Sequence, residues 1–96
     1  MDIVIAYDVN TETPAGRRRL RRVARACLGF GQRVQYSVFE CSLNETHLER
    51  LRQQLLKIID PQEDSLRIYF LRGSREEVVE VYGRDGYVDF RGPLMV

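Results

Sequence analysis

Two hydrophobic periods take turns along this chain of 96 residues. Residues 3–9 (Ile3, Val4, Ile5, Ala6, Tyr7, Asp8, Val9) are apolar at odd and even positions alike, which predicts a central strand covered above and below. Over residues 14–28 the period lengthens. Leu20, Val23, Ala24, Cys27 and Leu28 recur at three- and four-residue spacing, the pattern of one buried helical stripe. Thr13 is the expected N-cap, with Pro14 at the first helical position, and Gly29-Phe30-Gly31 ends the helix.

Residues 33–43 return to alternation, with Val34, Tyr36 and Val38 set against Gln35, Ser37, Phe39 and Cys41. The segment is long for one strand, so a bend, bulge or short strand pair is expected near Tyr36. Asn44 is placed to cap a second helix whose stripe is Leu48, Leu51, Leu55, Ile58 and Ile59. The acidic, proline-containing run 60–64 breaks it. Residues 66–71 read as a strand, 72–74 as a turn and 78–82 as a shorter strand. A tight turn at 83–86 then leads to a last extended piece at 87–90.

This order predicts an α+β fold: one domain, 1–96, with the ferredoxin-like split βαββαβ sandwich plus extra C-terminal strands. Right-handed crossovers put both helices on one face of the sheet. The strands read as apolar on both faces, so the bare face needs a cover. The economical cover is a second copy, giving a face-to-face homodimer with sheets about 10 Å apart. The strands from about residue 78 onward, above all the piece after Gly83, are expected to add to the partner's sheet edge.

Composition adds boundaries. A chain of this size buries roughly 60–70% of its unfolded surface, enough for one modest core. No apolar run approaches the roughly 20 residues of a membrane span, and the N-terminus lacks the pattern of a signal peptide. Cytoplasm is the expected location. Cys27 and Cys41 have no zinc or redox spacing and read as free structural thiols.

Charge changes the picture more. The formal net charge is +1, yet residues 14–39 hold seven arginines (Arg17, Arg18, Arg19, Arg21, Arg22, Arg25, Arg33) and no acid. A solvated helix face usually mixes signs. Six arginines on one helix without a carboxylate repel one another, and guanidinium groups suit phosphates. These seven are therefore the candidate nucleic-acid contacts, with affinity expected to fall as salt rises.

Asp8 is the candidate for chemistry. An acid just after a strand often caps a backbone turn, here through Val9-Asn10-Thr11. The alternative uses the dimer. If the strand ends meet near the two-fold axis, two Asp8 carboxylates face each other and repel unless a proton or cation intervenes. Mg²⁺, or Mn²⁺, held by carboxylates, water and substrate phosphate suits that arrangement. Tyr7, Tyr36, Phe39 and Tyr69 are core or interface aromatics by default, one or two being able to stack on a base near Asp8. Ser37 reads equally as a strand hydroxyl or a neighbour of the metal. His47, in the first turn of a helix, is poorly placed as an imidazolium. No Walker, GxSxG, HExxH or EF-hand pattern is present.

Tyr7-Asp8 at a strand end, the arginine-rich helix, and Arg33-Val34-Gln35-Tyr36-Ser37-Val38-Phe39-Glu40 together resemble the Cas-two endoribonuclease family, the smaller of the two universal CRISPR adaptation proteins. The resemblance covers nearly the whole chain. It implies a ferredoxin-like homodimer that binds nucleic acid and associates with the larger CRISPR integrase subunit. It also implies a metal-dependent endonuclease acting on single-stranded RNA or double-stranded DNA. Asp8 matches the family's metal-binding, catalytic acid. Tyr7, Arg19, Arg21, Arg33, Ser37 and Phe39 match positions tied to the site or to nucleic acid. Two roles follow: a Mg²⁺-dependent nuclease, or a DNA-bridging scaffold in which the arginines matter and Asp8 does not. A small-ligand regulatory domain is a third reading, against which the arginine helix counts.

Overall fold

The structure, a computed structural model, describes residues 1–71 and 77–84, the side chains of 77–79 excepted. The element order is β1 (Asp2–Asp8), α1 (Pro14–Leu28), β2 (Gln32–Gln35), β3 (Val38–Ser42), α2 (Glu45–Ile58), β4 (Ser65–Leu71) and β5 (Glu77–Gly83). They form one antiparallel sheet ordered β2-β3-β1-β4-β5, the ferredoxin-like arrangement with one strand added beside β4.

Local chemistry accounts for the boundaries. The Thr13 hydroxyl accepts a hydrogen bond from the Gly16 N–H at 3.0 Å, and Pro14 starts α1 as its sequence suggests. The Asn44 side chain accepts from the His47 N–H at 2.8 Å and starts α2. The long β segment splits at Tyr36-Ser37 into a hairpin, with a register shift between Arg33 and Gln35.

Alternation sorts the sheet's two faces. Ile3, Ile5 and Tyr7 of β1, Phe39 and Cys41 of β3, and Leu66 and Ile68 of β4 are buried beneath the helices. Val23 and Cys27 of α1 and Leu48, Leu51 and Leu55 of α2 close that core. Each such large side chain contributes about 2 kcal/mol by leaving water. Leu28, expected on the buried stripe of α1, is instead exposed. It continues the Ala24 column, which is itself only half-buried and marks the stripe's edge.

The other face is less apolar than its sequence suggests. Val4, Ala6, Val38 and Tyr69 are half-buried and Leu71 and Val81 exposed there, but Glu40, Ser42, Ser65 and Arg67 share the surface. Arg67 sits between Ala6 and Val81 across the ladders, so polar side chains interrupt the apolar ones.

β5 is a strand of its own chain's sheet. It pairs with β4 from Ser65↔Gly83 to Leu71↔Glu77, and Arg52 of α2 grips it through Glu80 at 2.9 and 2.8 Å. Within its own chain this strand completes β4's free edge. The turn at 72–74 and the extended piece at 87–90 lie outside the described residues.

Candidate active site

Asp8 is the last residue of β1, on the face away from the helices, and it is exposed. It lies beside a cleft of about 640 Å³ at the end of the sheet. Ala6, Ser65, Arg67 and Tyr69 line the cleft with it, and Asn10, Glu63 and Arg84 stand around it. Ser65 is the register partner of Asp8 across the β1–β4 ladder.

The turn-capping role that sequence offered Asp8 belongs to other residues. Asn10 Oδ1 accepts from the Glu12 N–H at 2.9 Å. The Asn10 N–H donates to Asp64 Oδ1 at 3.1 Å, and Asn10 Nδ2 donates to Glu63 Oε1 at 2.7 Å. The Asp8 carboxylate makes no hydrogen bond or ion pair among the described residues. A solvated acid with no structural task, at the rim of a cleft lined by polar side chains, is available to a ligand. Among the described residues no group of three His, Cys, Asp or Glu side chains could cage a metal.

Asp64 was hidden in what the sequence presented as a helix-breaking loop. It is fully buried, and four donors meet it: Arg19 Nε at 2.8 Å, Arg19 Nη2 at 3.3 Å, and the N–H groups of Asp60 at 2.8 Å and Asn10 at 3.1 Å. Burial alone would raise its pKa. The Arg19 guanidinium and the two N–H groups outweigh that and hold the carboxyl below the usual carboxylate range. The signal that could have exposed the pair is helical spacing. Arg19 stands three residues after buried Gly16 and four before buried Val23, so it borders the buried stripe.

The seven arginines thus divide. Arg17, Arg18, Arg21, Arg22 and Arg25 are exposed on α1, Arg17 also donating to the Thr11 carbonyl at 3.0 Å. Arg22 and Arg25 border a groove between the helices with Gln54 and Ile58. Arg19 turns inward to Asp64. Arg33, on β2, lies over the Phe39 ring at 5.1 Å from its centroid, a cation–π contact.

Phe39, expected to line the site, is fully buried on the helix side and stacks against Tyr7 with ring centroids 6.2 Å apart. Its strand parity assigns it to the core, where its ring seats Arg33. Tyr7 is also buried, its hydroxyl lacking a hydrogen-bond partner among the described residues. Burial raises the pKa of that hydroxyl, with Arg33 pulling the other way. Ser37 enters through its backbone, its carbonyl accepting the Tyr7 N–H at 3.1 Å. It joins the hairpin to the end of β1. His47 packs edge-on to Phe30 at 6.4 Å.

Comparison with known proteins gives a consistent result. The profile of the family described as CRISPR associated protein Cas2 matches residues 1–78. A protein of Moorella thermoacetica named CRISPR-associated endoribonuclease Cas2 1 is 53% identical over 96 residues, covering 100% of both chains. One from Halalkalibacterium halodurans, named CRISPR-associated endonuclease Cas2, is 45% identical, with 99% of each chain covered. Among solved structures, the crystal structure of Streptococcus pyogenes Cas2 superposes with a TM-score of 0.70 at 53% identity, over 75% of this chain and 87% of that one.

Proposed function

The chain belongs to the CRISPR-associated Cas2 family, and from that premise we propose that it is a CRISPR adaptation endonuclease that cleaves phosphodiester bonds of RNA or duplex DNA. The observation that carries this reading is Asp8: an exposed carboxylate without a structural partner among the described residues, ending the central strand beside a polar cleft.

Mg²⁺ suits what the chain offers. It demands few protein ligands, keeping several waters and taking one or two carboxylates plus substrate phosphate. One Asp8 per chain meets that demand, and a face-to-face homodimer doubles it. When bound, the ion would sharpen a water's acidity and neutralise phosphate charge. The chain's own part is to hold and orient. Asp8 would be the ligand and Ser65 its neighbour across the ladder, with Arg84 a cation at the same cleft. The exposed arginines of α1 would hold the phosphodiester backbone without reading sequence. Valines and Leu71 on the open face support a second copy packing there.

A second reading has its own support. The arginine helix lies on the face of the sheet opposite Asp8, so gripping nucleic acid and cleaving it use different surfaces. A DNA-bridging dimer working with the CRISPR integrase would need the first surface alone. No helix among the described residues is long and apolar enough to cross a membrane.

The test is cleavage of RNA and DNA by wild type and Asp8→Ala, each with Mg²⁺ or with EDTA. Loss of cleavage in Asp8→Ala and in EDTA is expected. Equal cleavage by both proteins would remove Asp8 from the chemistry.

A further inference from the structure

We infer that Asp64 and Arg19 are positioning residues for the Asp8 site, and that Arg19 is thereby withdrawn from the phosphate-binding surface. The inference rests on the reading of Asp8 given above.

Asp8 stands between two segments. Asn10 follows it by two residues in the β1–α1 loop, and Ser65, its partner across the ladder, directly follows Asp64. One carboxylate joins those segments, since Asp64 accepts from the Asn10 N–H and lies in the chain next to Ser65. Arg19 then ties both to α1 through two nitrogens. The Asp64 carbonyl accepts the Arg84 N–H at 2.6 Å, bringing in the end of β5.

Glycines permit this close approach. A Cβ on Gly16 would stand 1.9 Å from the Asn10 oxygen, and one on Gly83 would stand 2.1 Å from the Asp64 oxygen. Gly83 also adopts φ 91°, which suits glycine. Four elements converge on one buried acid, whose chain neighbours Glu63 and Ser65 line the cleft.

A buried ion pair is a poor device for stability alone, because apolar residues of similar volume commonly serve as well. It is a good device for fixing geometry. The guanidinium fork sets two bonds at once, and a lysine presents only a point charge. Misplacing a reacting group by about 1 Å costs on the order of 10²-fold in rate. Loss of a residue that orients a metal ligand typically costs about 10- to 100-fold.

The experiment measures steady-state cleavage of a labelled single-stranded RNA oligonucleotide in Mg²⁺ by full-length wild type, Asp8→Ala, Asp64→Asn, Arg19→Lys and Arg19→Ala. RNA affinity in EDTA and thermal melting are measured in parallel, and kcat is expressed per folded molecule. Asp64→Asn keeps the shape of the acceptor and Arg19→Lys keeps the charge, so both are chosen to fold. Expected is a fall in kcat of about 10- to 100-fold in Asp64→Asn and Arg19→Lys, with KM and RNA affinity within about twofold of wild type. A raised KM and weakened RNA affinity in Arg19→Ala, with kcat kept in Asp64→Asn, would make Arg19 a phosphate ligand and overturn the inference. Lowered melting temperatures with wild-type kcat would make the pair merely structural and would overturn it equally. An inactive Asp8→Ala beside fully active Asp64→Asn and Arg19→Lys would overturn the positioning role alone. A fully active Asp8→Ala would overturn the proposed function and this inference with it.

Discussion

Arg19 and Asp64, 45 residues apart in the chain, meet in a two-nitrogen ion pair whose carboxylate is wholly out of water and whose guanidinium retains 18% of its side-chain exposure. Because the Asp64 carboxyl titrates below its ordinary value, its stabilising effect is fully present above the unfolded-state pKa, about 4. That effect is lost as the pH falls through the lower folded-state value. Asp64→Ala is expected to destabilise the fold by about 2–4 kcal/mol at pH 7, since it strands Arg19 and two backbone donors. The deficit relative to wild type should shrink towards pH 3. Urea unfolding at both pH values checks this, and an undiminished deficit at pH 3 would show that charge is not its source.

Reversing charge at Arg18 and Arg22 is expected to weaken RNA and DNA binding at every sequence tested. Each lost phosphate contact should flatten the plot of log affinity against log salt by about 1. Asp8→Ala should leave the slope as it is. Filter binding across a salt series separates the two, and an unchanged slope in the double variant would place the nucleic acid elsewhere.

The exposed apolar residues of the open sheet face carry a prediction about assembly. Val81→Asp and Leu71→Asp introduce charges where a second copy is proposed to pack. Light scattering should report a dimer for wild type and dissociation for the double variant. A wild-type monomer at micromolar concentration would remove the paired-carboxylate arrangement.

Cys27 is fully buried, and burial pushes its thiol up to about 12. The thiolate is the nucleophile, so at pH 8 Cys27 should resist aromatic disulfide reagents until the chain unfolds. Counting reactive thiols with and without urea checks this. Rapid native labelling of Cys27 would mean the α1 face of the core opens readily.

Much of this was legible in the sequence because it obeys local rules. Thr13-Pro14 and Asn44 start their helices, and the hairpin breaks at Tyr36-Ser37, since capping and turn chemistry act within a few residues. The position of Asp8 was legible as well, at the end of an apolar strand. Two features were not. Asp64 is held by Asp60 in its own loop but also by partners from two distant segments, Asn10 and Arg19, and no window along the chain contains them. Phe39 was read both as a core aromatic and, by resemblance, as lining the site; strand parity turns it into the core, where it supports Arg33. The resemblance named the position, and the fold decided which way the ring points.

The sheet is a wall one strand layer thick, with the arginine-bearing helix on one side and Asp8 opening on the other. A polymer gripped by the helix of one copy is therefore screened from that copy's own acid. If the proposed function holds, a strand held and cut at once would have to bend around the sheet's edge or pass to a second copy, which would favour long, pliable strands over short, stiff ones.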